Sequence, residues 1–500
     1  MSAFSPAGSV NADKTMDLLW TRVRQRGDLP GFSKVVKAII GAMRGDDDRE
    51  FNMTSTVLQD PALTQKVLRL ANSAMYLVFG QNINTVSKAV IVLGTETIGH
   101  LALGLKLIDG LSAASATSSG ARAEMEKAVL AGHIARQLVS TAGTRDAEEA
   151  VVCSILHPLG RMMTTFYLPD RWQQVQTRCA ETGADENQMA REILGLGLDD
   201  IGRQVAQQWG LPSSVVTTLR DIPPRPIDEP LDHSDWLAVV STLSSRCADA
   251  LGIEGSAGSA KLASLAGDYA KMLGIEASQV IEAVDAAQKE AVEADSAIAS
   301  SVQRSEPEKS ATPVGKPADA AAILRRGVAD MRGALHSANT AQLMSMALET
   351  IYQALGFRRA IAFARNREQA QYIAQLGFGE GVQELLPQLN FSDAYQPDVF
   401  HAALANDKMI FVENALNPAF VSKVPRWWKE ALPHVRSFMV LPLTINNTAV
   451  GFIYGDWDIS QQTASIDQDE IAPLNALRTV VMQAMEQGRH TEPAWVRKIL

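Results

Sequence analysis

Residues 59–76 read QDPALTQKVLRLANSAMY. Asp60 is suited to accept hydrogen bonds from the free backbone N–H groups at a helix start, and Pro61 fits the first helical position, where its missing N–H is not needed. Leu63, Val67, Leu70 and Ala74 then recur at helical spacing, so the stretch predicts a capped amphipathic helix. Asn72 and Ser73, near its end, read as residues that cap or terminate it. A second helix follows in residues 84–94, NTVSKAVIVLG, with Val86, Ala89, Val90 and Leu93 on one face. Gly94 is free to take a left-handed terminating conformation. A third helix starts at Thr95 with the stripe Ile98, Leu101, Leu105 and Ile108. Working outward, apolar residues keep helical spacing from about Asp17 to Ala291 and few runs alternate with period two, so the first half of the chain is expected to be all-α.

Five hundred residues exceed what one hydrophobic core organises, so at least two domains are expected. A composition of 46% hydrophobic and 20% charged residues is globular in class. The net charge of -10 disfavours a general grip on phosphate backbones or anionic lipid. The cysteines Cys153, Cys179 and Cys247 fit no metal-binding spacing and leave one unpaired, which suits a reducing compartment. The first residues show no basic segment followed by an apolar run, and Leu101 to Leu111 is short and carries Lys106 and Asp109. The expectation is a soluble, cytoplasmic protein with no membrane partner.

Composition shifts between residues 291 and 320, where three prolines accompany few large apolar residues; this stretch is expected to be a disordered linker. The domains are accordingly placed at 14–290 and 321–488. After the linker the pattern predicts one long helix from Ala321 to Leu355. Strand-like runs follow at 357–364, 369–378, 408–414, 435–445 and 448–457, and a closing helix runs from about Asp467 to Gln487. Asn446-Asn447 tolerates the positive φ angles of a tight hairpin turn. This order predicts an α+β domain with an antiparallel sheet. The long helix carries Ile323, Val328, Met331, Leu335, Leu343, Met346, Leu348 and Ile351, more apolar surface than one narrow stripe needs, which predicts a homodimer through that helix.

The helical half resembles the HDOD family, the HD-related output domain of bacterial signalling proteins. The resemblance rests on the DPxL…LxLxNSAxY helix, the following helix ending in Leu93-Gly94, and then SILHPLGRM (154–162), FYLPDRW (166–172) and GLGLDDIGRQVAQQWGLP (195–212), in the family's order. It singles out Asp60, Pro61, Leu70, Asn72, Ser73, Leu93, Gly94, His157, Gly160, Trp209 and Gly210 as signature positions, and they read as architectural: caps, helix stops and core stripes. Hydrolases of the wider HD superfamily pair adjacent His and Asp on a metal that activates water. Here His157 is followed by Pro158, which offers no ligand atom, and Asp199 and Asp200 stand where the family often has a histidine. His133 is a weak second candidate. A degenerate HD domain with no metal and no cofactor is expected, with a packed His157 that serves the backbone Pro158 disturbs, the carbonyl of Ser154 above all. The alternative is a metal-dependent phosphohydrolase of nucleotides or cyclic dinucleotides.

Residues 87–103 join two helices through a tight turn, as a helix-turn-helix does, but the second helix offers only Lys106 as a base, so no nucleic-acid partner is expected. The C-terminal half resembles a GAF domain, chiefly in HVRSFMVLPLTINNTAVGFIYGDW (434–457). That resemblance implies a small-molecule cavity on one sheet face, with Phe363, Trp427, Trp428, Phe438 and Tyr454 as its lining. The rival reading of the two tryptophans is that one packs into the core and the other faces an edge. No cysteine follows Cys247, so a thioether-linked bilin has no attachment point. Taken together, the expected function is non-catalytic signal transduction, with the GAF-like domain sensing a ligand or partner and the HDOD-like domain acting through protein partners.

Overall fold

The computed structural model describes residues 6–27, 29, 34–44, 49–72, 83–112, 119–139, 144–226, 231–253, 255–302, 315–461 and 464–488. The helices, in chain order, begin with α1 (Pro6–Arg26), α2 (Lys34–Arg44), α3 (Arg49–Leu58), α4 (Pro61–Ala71), α5 (Val86–Leu93), α6 (Thr95–Ser112), α7 (Ser119–Leu138) and α8 (Thr144–Leu156). They continue with α9 (Leu159–Tyr167), α10 (Pro169–Thr182), α11 (Glu186–Leu194), α12 (Leu198–Gln208), α13 (Ser213–Thr218), α14 (His233–Leu251), α15 (Ser256–Leu273) and α16 (Ala277–Val302). Then come α17 (Ala320–Ala334), α18 (Thr340–Leu355), α19 (Val382–Leu385), α20 (Val399–Asn406), α21 (Pro418–Val421), α22 (Arg426–Ala431) and α23 (Gln468–Gly488). The strands are β1 (Arg359–Asn366), β2 (Gln371–Gly379), β3 (Asn390–Ser392), β4 (Ile410–Val412), β5 (Val435–Ile445) and β6 (Thr448–Asp458). No described helix is by itself long and apolar enough to cross a membrane.

The chain divides into two compact units, one of residues 1–49, 74–76 and 95–306, the other of 50–73, 77–94 and 307–500. The first is helical. α7, α14, α15 and α16 share a core that includes Ile134, Leu243, Tyr269 and Val284. α9 crosses α12 closely, where Gly160 and Gly202 bring two backbones together: a Cβ on Gly160 would lie 1.9 Å from the Leu198 carbonyl oxygen and 3.0 Å from the Gly202 nitrogen.

The second unit is built on a six-stranded antiparallel sheet in the order β3-β2-β1-β6-β5-β4. Asn446 and Asn447, with φ of 51° and 58°, close the β5–β6 hairpin. One sheet face packs on α17, α18 and α23, burying Leu324, Leu348, Leu441, Ile453 and Leu477. The other carries an aromatic cluster under α20 and α22. β2 serves both faces. Pairing with β1 shifts between Ala362 and Phe363, whose partners are Leu376 and Ala374, leaving Gln375 as the extra bulged residue. Tyr372 and Ala374 therefore join the aromatic face, whereas Leu376 and Phe378 join the helical one.

Three expectations change. The single helix over 321–355 is two helices, because Asn339 accepts from the Gln342 N–H (2.9 Å) while the Gln342 side chain accepts from the Asn339 N–H (2.8 Å), starting α18 afresh. The stretch 291–320 is not linker throughout: α16 continues to Val302, and Lys316 pairs with Asp467 and Glu470 at the start of α23 (2.7 Å each), while 303–314 lie outside the described residues. The helical region 14–290 is not one body either. α3, α4 and α5 belong to the second unit, where Phe51, Leu58 and Ile91 pack on the helical face of the sheet domain. Of the apolar residues on α17 and α18, Val328, Met331, Leu343, Met346, Leu348 and Ile351 are buried in that core, and Ile323 and Leu335 pack against it.

Overpacking the α9–α12 crossing has no relief, since the opposing atoms are backbone. Gly160→Ala is expected to destabilise the protein by about 3 kcal/mol in urea titrations. Gly267→Ala, in α15 with nothing within 4 Å of the added methyl, should be neutral or stabilising.

Candidate functional site

The described signature residues lie at helix ends, helix breaks and packed helix faces. Asp60 caps α4 by accepting from the Leu63 N–H at 3.0 Å, with Pro61 at the first turn. Leu70 is half-buried on that helix. Asn72 does more than end it: its side-chain amide donates to the carbonyls of Leu68 (2.9 Å) and Ile83 (2.7 Å) and accepts from the Ile83 N–H (2.9 Å), tying the end of α4 to Ile83. Ser73 lies outside the described residues. Leu93 is buried, and Gly94 ends α5 at φ 88°, ψ 152°, a region open essentially to glycine and distinct from the left-handed helical cap that was expected. Trp209 is half-buried at the end of α12, and Gly210, at φ 72°, leaves room for the Arg44 guanidinium, which would lie 2.3 Å from an added Cβ.

His157 sits with Pro158 in the break between α8 and α9, so the proline disrupts no helix; its carbonyl accepts from the Met162 N–H at 2.9 Å and starts α9. The expected link to the Ser154 carbonyl gives way to a side-chain pair: His157 Nε2 lies 2.8 Å from Asp221 Oδ1, and Arg246 from α14 donates to Asp221 Oδ2 at 3.1 Å. Burial pushes the Asp221 carboxyl up, but the hydrogen bond from His157 and the charges of His157 and Arg246 outweigh it and hold it well below the usual carboxylate range. Asp199 is pushed up by burial and by the Asp221 charge. The His157 side chain is 6% exposed, and its Nδ1 is buried with no hydrogen-bond partner. A nitrogen that exchanges protons with a substrate must be open to it. Among the described residues, no group of three or more His, Cys, Asp or Glu is placed to hold a metal. Asp221 and Arg246 carry no local motif and lie 64 and 89 residues beyond His157 in sequence, so no signal in the sequence points to them.

The five aromatic residues expected to line a cavity come together on one sheet face. Phe363 stacks on Phe452 (4.4 Å between centroids) and meets Trp427 at 6.2 Å; Phe438 meets Trp428 at 4.9 Å and Tyr454 at 5.8 Å. Trp428 is buried and donates from Nε1 to the Tyr454 hydroxyl at 3.0 Å. Trp427 is half-buried and lies flat on Phe391 at 4.8 Å, covering the face from outside. Sequence reading missed Phe391, Phe400 and Phe452, although the apolar character of β6 signals the last of them. At the rim, Arg365 forks onto Asp393 (2.8 and 2.7 Å). His401 uses both ring nitrogens, Nδ1 to Asp398 (2.9 Å) and Nε2 to the Ser392 carbonyl (3.1 Å).

Burial lowers the His401 pKa, but the Asp398 carboxylate and the Ser392 carbonyl outweigh it and raise the value above the ordinary 6.5. The folded state therefore holds this proton more tightly than the unfolded chain. Its stabilising contribution is complete below the ordinary value and is lost as pH rises through the folded one. The stability difference between wild type and His401→Gln, from urea titrations, should accordingly be larger near pH ~5.5 than near pH ~8.5.

Residues 29–222 match the family described as HDOD domain. An uncharacterized protein of Treponema pallidum (strain Nichols) is 25% identical over 196 residues, which are 39% of this chain and 37% of that protein, so the chain spans little more than a third of its length. Among solved structures, an HDOD domain protein with unknown function from Geobacter sulfurreducens is similar over 56% of this chain and 96% of its own, at 18% identity and a TM-score of 0.39. The GAF domain of a phosphoenolpyruvate-protein phosphotransferase from Coxiella burnetii is similar over 34% of this chain and 96% of its own, at 13% identity and a TM-score of 0.29. The match over residues 29–222 means that this chain contains an HDOD domain.

Proposed function

We propose that the protein is a non-catalytic regulator, in which the C-terminal sheet domain, GAF-like in its order of elements, senses a flat apolar ligand or a partner and the HDOD domain delivers the output by protein–protein contact. The observation that carries the non-catalytic half is the state of His157: its neighbour is proline, one ring nitrogen is engaged by Asp221, and the other is sealed from solvent. Asp221 is itself tied to Arg246, so the nearest carboxylate is already neutralised by two cations or donors. Water activation by an HD-type centre needs imidazole and carboxylate free to share an ion.

The sensing half rests on Trp427, half-buried over a face of rings that offers stacking partners and few polar groups. A flat apolar ligand stacking on that indole extends the face of rings at small cost in hydrogen bonding. The output half rests on family resemblance and on the acidic net charge, which favours protein over nucleic-acid partners.

Purified protein incubated with Mg2+, Mn2+, Fe2+ or Zn2+ and a panel of nucleotides and cyclic dinucleotides should show no turnover; hydrolysis abolished by His157→Ala overturns the non-catalytic reading. Native mass spectrometry should detect binding of a planar aromatic compound to wild type and a loss of affinity of about tenfold or more in Trp427→Ala, the scale of one lost stacking contact. Binding unaffected by that change removes Trp427 from the sensing face.

A further inference from the structure

Within the second unit, α5 begins on a carboxylate from a helix 262 residues away. Its own N-cap, Thr85, accepts from the Lys88 N–H (3.2 Å). The first two N–H groups of the helix, those of Val86 and Ser87, are taken by Glu349 of α18, at 2.6 Å to Oε1 and 2.8 Å to Oε2. Gln353 donates to Oε1 at 3.1 Å, and the hydroxyls of Ser87 and Ser345 meet at 3.1 Å. Around this centre, Lys88 pairs with Asp330 of α17 at 2.7 Å, Asn84 donates to the same carboxylate at 3.0 Å, and Phe51 of α3 stacks on Phe378 of β2 at 5.1 Å. The Gln383 side chain reaches Ser55 at 3.5 Å.

This seam is polar at its centre, where the Glu349 carboxylate meets the first N–H groups of α5. Glu349 is fully buried, and burial pushes its pKa up to about 7 even though Ser87, Val86 and Gln353 all favour its charged form. A buried carboxylate held this way contributes specificity more than net stability, because ionisation away from water offsets most of what the hydrogen bonds supply. When the helix leaves, Glu349 and both N–H groups regain water, so the open state is less disfavoured than that of an apolar seam of equal area. β2 links the seam to the opposite face: the bulge at Gln375 sends Tyr372 and Ala374 into the aromatic cluster and Phe378 onto Phe51.

We propose that helices α3, α4 and α5 form a releasable docking element, held on the sheet domain by Glu349 at the α5 N-terminus and set free together in a second conformation. The three helices lie within the residues that match HDOD and, from Glu50 on, within the compact unit of the sheet domain, so their release changes the HDOD domain's complement of helices. The element's use in signalling rests on the regulatory reading above; its existence does not.

Hydrogen exchange of the full chain, read by mass spectrometry without added ligand, tests the device. In wild type, α3, α4 and α5 should exchange together and ahead of β1, β5 and β6. Glu349→Gln, which keeps the shape but turns an amide donor toward the backbone N–H groups, should speed exchange in those three helices by about tenfold or more and leave the strands unchanged. Asp330→Asn should give a smaller rise in the same helices, and it carries the test if Glu349→Gln proves incompatible with folding. An equal rise in helices and strands means that Glu349 merely stabilises the whole unit and overturns the proposal, as does unchanged exchange in α5. Failure to find a ligand or an output partner would count against the regulatory reading while leaving this result as it stands.

Discussion

The sheet of the second unit has no polar face. β5 is buried along nearly its whole length, and β6 and β1 are buried through their central residues, so side chains on both sides of the sheet need cover. The arrangement follows from that constraint. Helices α17, α18 and α23 close one side, and the short helices after β3 close the other with rings. Strands buried on both faces read as continuous apolar runs, as VRSFMVLPLTI does. The layer of helices then has an outer side of its own. Part of that side is occupied by α5 on α18, and three helices of the HDOD match stand in a unit that otherwise begins after residue 306.

The helical unit obeys a different constraint, that of close backbone approach. Gly160 and Gly202 let α9 and α12 touch, and that crossing carries α12 past the break that holds His157. The same break that resembles a hydrolase position in sequence is, in three dimensions, a joint between helices whose histidine bonds across to the residue preceding Ile222. Ionic groups elsewhere in the unit are likewise spent on one another: Arg161 gathers Glu124, Glu186 and Asp249 around it, and their charges outweigh burial to keep the guanidinium firmly protonated.

What was legible in the sequence was local. Asp60-Pro61 announces a helix start because the cap and the residues it serves lie within four positions, and Asn446-Asn447 announces a hairpin for the same reason. The aromatic face was legible in part, since alternation along a strand assigns Phe363, Phe438 and Tyr454 to one side once the strands are recognised. The loop aromatics Phe391 and Phe400 follow no period and were not. Nor was the break between α17 and α18, where apolar spacing runs on through Leu335 while the capping pair Asn339–Gln342 restarts the helix. The partners of His157 and of the α5 N-terminus were beyond reach altogether, because a carboxylate 64 or 262 residues away leaves no mark on the local pattern. The apolar character of residues 321–355 was legible, but not that so many of them pack into one core with the sheet and α23.

The separation between Ser87 and Glu349 also has a consequence for how the chain is made. Synthesis proceeds from the N-terminus at about 5–20 residues per second, so α3 to α5 emerge on the order of ten seconds or more before α18 exists to receive them. During that interval Phe51, Leu58 and Ile91 have no sheet domain to cover them, and the first two N–H groups of α5 have only water. Helices α6 to α16, which pack within the first unit, face no such wait. The order of assembly is therefore set by topology: the middle of the chain closes first, and an early segment stays open until the last third of the protein arrives to complete it.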